Sequence, residues 1–311
     1  METTLRPAAR HALVVALGLV LLSLGSAAAA DLPPKQVELL SKLKARIEAV
    51  DQRLDGVLGV YICDLSSGTG VELRPDEVFP TASSIKLAVL YDLYRQSEEG
   101  QIDLAEVTRP TVPRVRGGGV LQELGDQVSL TWRDLAILMM GWSDNEATNL
   151  LVRRLDMDAV NHRLDGLALA RTRLRRRMMD LDAARWGNEN VSTPREITRL
   201  VEAIVSGRGL SPERAKDLLA VATVRDESSF FRRGLPEGQR AVSKPGALEG
   251  VRCEAAWVDL PGRPYVAAVM TTYLQRDGDG EAAIREISTS IFETFQRLAH
   301  ASDYGRIISE R

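Results

Sequence analysis

The stretch Arg240–Thr272, RAVSKPGALEGVRCEAAWVDLPGRPYVAAVMTT, decides the fold class. Arg240 to Lys244, Arg252 to Val258 and Tyr265 to Thr272 are short apolar or β-branched runs split by turns, which predicts successive strands. Strands in such small number are marginal alone and must join others to bury their faces. The partners lie near the other end of the chain. Leu58 to Asp64 is an apolar run, Ser66-Ser67-Gly68 supplies a turn, and Gly70 to Leu73 completes a hairpin. Ahead of that hairpin, Leu40, Leu43, Ile47, Val50 and Leu54 recur at three and four residues, predicting an amphipathic helix from Pro34 to Leu54 closed by Gly56. Ile284, Ile287, Ile291, Phe295 and Leu298 repeat that stripe after the last strand.

Between the two groups of strands the chain is mostly helical. Leu87 to Tyr94, Trp132 to Met140, Glu146 to Arg154 and Arg195 to Ile204 carry helical spacing, with Thr131 and Thr193-Pro194 as helix starts. A Gly-rich connector, Gly117 to Gly119, and a polar loop from Met178 to Ser192 separate them. The expected fold is α+β: an antiparallel five-stranded sheet flanked by N- and C-terminal helices, with an inserted all-helical subdomain. Residues 31–80 and 223–300 would form a discontinuous α/β subdomain, 81–222 the helical one, and 301–311 a tail.

Residues 1–30 read as an export signal: basic Arg6, Arg10 and His11, an apolar run from Ala12 to Leu24, then small residues Ser26 to Ala30. The run is shorter than the roughly 20 residues a membrane span needs. The mature protein is therefore expected to be periplasmic or secreted, without membrane association beyond the signal peptide. A net charge of -3 gives no electrostatic case for nucleic acid. The basic run Arg171 to Arg177 is followed at once by Asp180 and Asp182, as on an internally paired face. A monomer is expected.

The scarce residues narrow the chemistry. Cys63 and Cys253 both lie in strand-like runs, which suits buried thiols more than a disulfide framework, although an oxidising compartment permits a bridge. Of three histidines, His11 falls in the signal, His162 in a polar helical stretch and His300 near the C-terminus. That leaves no well-placed imidazole for a Ser-His-Asp hydrolase and too few ligands for catalytic zinc. No metal or cofactor is expected.

Three short elements carry chemistry in its place. In Phe79-Pro80-Thr81-Ala82-Ser83-Ser84-Ile85-Lys86, Ser83 and Lys86 stand at i and i+3, on one face of a helix start. A serine needs a nearby base to become nucleophilic, and a lysine one turn away can serve. Ser143-Asp144-Asn145 follows between two helices; helix capping accounts for one of the three and leaves the run unexplained. Lys244-Pro245-Gly246 closes the set at a strand end, where Pro predicts either an edge strand or the strand's termination. Each element alone has a bland structural explanation.

In this order and spacing the three elements resemble those of class A β-lactamases and penicillin-binding proteins. The stretch Ser143 to Leu151 and the approach Gly234-Leu235-Pro236-Glu237-Gly238 into Val242-Ser243-Lys244 are similar to the same family, over about Leu40 to Leu298. The resemblance implies a β-lactamase-like fold and a serine β-lactamase hydrolysing β-lactam antibiotics through an acyl-enzyme on Ser83. A D,D-peptidase-like cell-wall amidohydrolase, or a penicillin-binding sensor acylated without turnover, are its alternatives. It implies Lys86 as activator or relay of the serine proton, Ser143 as proton donor to the lactam nitrogen, and Lys244 as electrostatic support. Asn145, Gly246 and Ala247 would contact substrate, with backbone N–H groups of Ser83 and Ala247 as the oxyanion hole. Arg252 would be a second carboxylate anchor, or equally an ordinary strand arginine.

Two departures stand out. Pro245 occupies a position that carries a hydroxyl in the family. The family's Glu-x-x-x-Asn is absent from the loop Arg177 to Pro194; Asp180 is the best-placed deacylation base by spacing, with Asp182, Glu189, or a purely structural Asp180–Arg177 pair as alternatives.

Overall fold

The computed structural model describes residues 32–110, 114–224, 227–302 and 304–307; the expected signal peptide and, in the tail 301–311, residues 303 and 308–311 lie outside them. The chain opens with α1 (Pro34–Arg53), β1 (Val57–Asp64), β2 (Gly70–Leu73) and the short β3 (Phe79–Pro80). A 3-10 turn, Ala82–Ile85, leads into α2 (Lys86–Glu98). There follow β4 (Val107–Thr108), β5 (Leu130–Thr131), α3 (Trp132–Gly141), α4 (Asn145–Leu155), α5 (Met157–Gly166) and α6 (Leu181–Arg185). Then come β6 (Val191–Ser192), α7 (Pro194–Val205), α8 (Pro212–Ala222), β7 (Ala241–Leu248), β8 (Val251–Val258), β9 (Tyr265–Thr272) and α9 (Asp277–Ala299).

The expected five-stranded antiparallel sheet forms in the order β2-β1-β9-β8-β7. Alternation along β9 explains why it sits in the middle. Tyr265, Ala267 and Val269 belong to a core that also holds Leu43, Ile47 and Val50 of α1 and Ile284, Ile287 and Ile291 of α9. Val266, Ala268 and Met270 join a second core with the helical block. Both faces are covered, so the strand is apolar at almost every position. In the second core, α2 is buried nearly all round, from Leu87 through Tyr94, as a helix enclosed by others must be.

The strand expected to end at Lys244 runs on through Pro245 and Gly246 to Leu248. It can do so because β7 is an edge strand, where a residue without an N–H interrupts no second ladder. Gly246 allows close packing: a Cβ there would lie 2.6 Å from Cys253 Sγ and also meet the Thr81 carbonyl. Cys63 and Cys253 are free thiols on β1 and β8, which β9 separates. No helix of the described residues is long and apolar enough to cross a membrane.

Candidate active site

Ser83 lies in the 3-10 turn ahead of α2, and Lys86 is the first residue of that helix. In a 3-10 turn i and i+3 fall on one face, so the two side chains share a side as the spacing predicted. Three bonds anchor the turn. Ser84 Oγ donates to the Lys244 carbonyl at 2.9 Å, Thr81 N–H donates to the Asn190 carbonyl at 2.9 Å, and the Cys253 thiol lies 2.9 Å from the Thr81 carbonyl. Burial pushes that thiol up to about 12, so it stays protonated as a donor.

Lys86 is fully buried, and its terminal nitrogen is held among the groups of the second element. Nζ lies 2.7 Å from the Ser143 carbonyl, 3.1 Å from Ser143 Oγ and 3.0 Å from Asn145 Oδ1. Asp144, between them, turns the other way: it caps α4 through Ala147 N–H and also accepts from Leu121 N–H at 2.7 Å. Capping thus accounts for Asp144, and Lys86 accounts for its two neighbours. This alternation needs an unusual backbone, and Ser143 has φ 51°, as Ala82 beside the nucleophile has φ 46°. Each such residue costs on the order of 1–3 kcal/mol and persists only when its surroundings impose it. Part of that surrounding is the Gly-rich connector: Asn145 Nδ2 donates to the Gly117 carbonyl and Asn145 N–H to that of Gly118. At Gly119 (φ 93°) a Cβ would run into Asp144.

These residues open on a cavity of about 300 Å³, lined by Ser83, Ser143, Asn145, Gly246, Ala247 and Arg252 among others. Lys244 is fully buried on β7 and is absent from that lining. Behind it, buried Glu254 on β8 accepts from the hydroxyls of Ser229 and Ser243 and from the N–H groups of Phe230 (3.0 Å) and Phe231 (2.9 Å). Burial raises its carboxyl above the usual range, while these donors and Lys244 oppose the shift. The network ties the segment carrying Ser228 and Phe230, both on the cavity wall, to the strand carrying Lys244.

Asp180 does not join the site. It is exposed, caps α6 through Ala183 N–H at 3.0 Å, and is not among the cavity-lining residues. Asp182 is exposed and pairs with Arg185, and Glu189 pairs with Arg176 at 2.7 Å. The loop instead turns Met178, Met179 and Leu181 toward the cavity. Met178 is held there by Asn149 on both sides: Met178 N–H donates to Oδ1 at 2.8 Å, and Nδ2 donates to its carbonyl at 3.0 Å. Arg252 lines the cavity, but with its guanidinium engaged: Nη2 lies 2.9 Å from Asp277, Nε 3.1 Å from Glu281, and Nη1 2.9 Å from the carbonyls of Leu248 and Val251. Neither His162 nor His300 lines the cavity. Met178, Phe230 and Glu281 were missed in sequence because an apolar loop residue or a helix-face glutamate carries no signal of facing a nucleophile distant along the chain.

The model of the beta-lactamase enzyme family matches residues 42–295. A beta-lactamase of Streptomyces albus G is 32% identical over 257 residues, covering 76% of this chain and 79% of its own. Among solved structures, PBP-A superposes with a TM-score of 0.76 at 28% identity, covering 83% of this chain and 97% of its own. A mutant of PBP-A, solved as an acyl-enzyme complex with penicillin-G, matches equally well. The beta-lactamase from Sphaerobacter thermophilus gives a TM-score of 0.73 at 30% identity, covering 81% and 96%.

Proposed function

The chain belongs to the beta-lactamase enzyme family, and we propose that it opens the amide of β-lactams through an acyl-enzyme on Ser83. Ser83 Oγ attacks the lactam carbonyl as Lys86, acting as the neutral amine, takes up its proton. The Ser143 hydroxyl then protonates the departing nitrogen and is reprotonated from Lys86, whose Nζ is 3.1 Å away. Backbone N–H groups of Ser83 and Ala247 hold the oxyanion, a contribution of about 3–4 kcal/mol per donor in comparable sites. Lys244 supplies positive potential behind Ser143, Asn145 binds the acylamide, and water releases the product. The single observation that carries this reading is the convergence of buried Lys86 on Ser143 and Asn145, one turn from a serine on a cavity wall. The test is turnover of a chromogenic cephalosporin: many equivalents are expected from the wild type and none from Ser83→Ala. A wild type that stops at one equivalent refutes hydrolysis.

A second reading, a penicillin-binding or D,D-peptidase-like protein that is acylated and released slowly, has its own support. The loop contributes Met178, Met179 and Leu181 to the cavity, and the one carboxylate among the described lining residues, Glu281, is paired with Arg252. A mass-spectrometric time course separates the two, since a persistent adduct on Ser83 with release of D-Ala from peptides favours the second. Export to the periplasm or medium belongs to the same proposal; N-terminal sequencing of the mature protein should find cleavage near Asp31. A monomer is expected by size-exclusion chromatography with light scattering.

A further inference from the structure

We propose that Met179 is a modification site: a peroxide oxidises its thioether to the sulfoxide, and this releases a strap that joins the two walls of the cavity. The effect on catalysis rests on acylation at Ser83; the modification itself does not. Met179 lines the cavity from the loop wall with φ 63°, a left-handed backbone that a residue other than glycine keeps only under constraint. Its side chain reaches across to the Gly-rich connector. A Cβ on Gly117 would lie 2.8 Å from Met179 Sδ and 2.7 Å from its Cε, so the thioether packs directly on the glycine backbone. That backbone belongs to the opposite wall: the Gly117 carbonyl accepts from Asn145 Nδ2 at 3.1 Å, and Asn145 Oδ1 lies 3.0 Å from Lys86 Nζ. Met179 is also 43% exposed, whereas Met139, Met140, Met178 and Met270 are buried and Met157 is half-buried. Among the described methionines it is the one that a small oxidant meets first. The two thiols compete poorly, because burial raises both and the thiolate is the reactive form. With hydrogen peroxide, the sulfur lone pair attacks one peroxide oxygen, and the S–O bond forms as the O–O bond breaks. The proton on the transferred oxygen passes to the departing one, which leaves as water; sulfur is oxidised and the peroxide reduced. The new oxygen is a polar acceptor that needs water, and the tight contact with Gly117 leaves no room for it on that side. The side chain swings outward, and the connector loses its support.

The experiment treats the full chain with hydrogen peroxide, maps the added oxygen by peptide mass spectrometry and follows acylation by benzylpenicillin on the intact mass. Met179 should oxidise at least about tenfold faster than the other described methionines. Its oxidation should lower the second-order acylation rate about fivefold and speed amide hydrogen exchange across the connector Gly117 to Gly119. Methionine sulfoxide reductases of both epimer specificities, added together, should reverse both changes. Met179→Leu carries no sulfur to oxidise, so its own acylation rate should be the same before and after peroxide. Oxidation that falls first on another methionine overturns the proposal. So does an acylation rate unchanged once Met179 is oxidised, or a folded Met179→Leu that loses as much rate under peroxide as the wild type. If that variant does not fold, the reductases decide, and a rate they fail to restore overturns the proposal. If the untreated chain is not acylated at all, the reading of Ser83 fails by itself. The peptide map and the exchange of the connector then decide the modification: selective oxidation of Met179 with faster exchange upholds it, and either one missing overturns it.

Discussion

The two sides of the cavity are built from different materials. On one side, Lys86, Ser143 and Asn145 hold one another at 2.7–3.1 Å, locked by strained backbone at Ala82 and Ser143 and by the Gly117–Gly119 connector. On the other, Met178, Met179 and Leu181 face the same space, and the loop carboxylates Asp180, Asp182 and Glu189 are spent on a helix cap and two ion pairs. The first side has what the proposed acylation needs: a base and a proton donor in one hydrogen-bonded set, one turn from Ser83 on the cavity wall. The second offers a shaped apolar surface where water activation would need an acceptor. Forming and removing an acyl group are separate demands, and this fold meets them unequally.

The contrast can be broken most severely from the polar side. Lys86→Ala removes the base and leaves Ser143 and Asn145 facing an empty space, so acylation by a penicillin should fall about 10³-fold, measured by stopped-flow or mass spectrometry. It can be sharpened from the apolar side. Met178→Glu places a carboxylate on a backbone already clamped by Asn149, and deacylation should rise about 10²-fold with acylation little changed. A deacylation rate that stays the same would mean that this wall does not limit release. Asn149→Leu leaves the buried N–H and carbonyl of Met178 without their partners and should cost about 2 kcal/mol in urea unfolding.

The smallest effect lies far from the cavity and serves as a control. Burial pushes the Asp217 carboxyl up, but hydrogen bonds from Arg133 and Tyr94 outweigh that and hold it below its ordinary range. A depressed carboxyl stabilises the fold above its unfolded pKa, and this contribution is lost as pH falls through the folded value. Asp217→Asn should therefore cost about 1 kcal/mol at neutral pH, with the gap to wild type closing in acid and acylation kinetics unmoved.

Much of this was legible in the chain. The alternation that fills both faces of β9, the stripes of α1 and α9, and Pro245 on an edge strand follow from local rules of periodicity and backbone chemistry. Ser83, Lys86, Ser143 and Asn145 were legible through their order. Asp180 misled because spacing along a loop says nothing about which way a side chain turns: as the residue before α6, its carboxylate satisfies that helix's N–H groups first. Arg252 was read as a possible anchor, but α9, which returns only after β9, brings Asp277 and Glu281 against it.

By itself, then, the sequence determined the layers of the fold, the edge position of β7 and the choice of candidate reacting groups, because each depends on neighbours close in the chain or on residue type. Tertiary structure alone decided which side chains share the cavity, that Met178 faces it in place of a carboxylate, and that Arg252 reaches it with its charge already answered. Those outcomes depend on contacts between segments far apart in sequence, and pairing between such segments is settled only when the chain closes on itself.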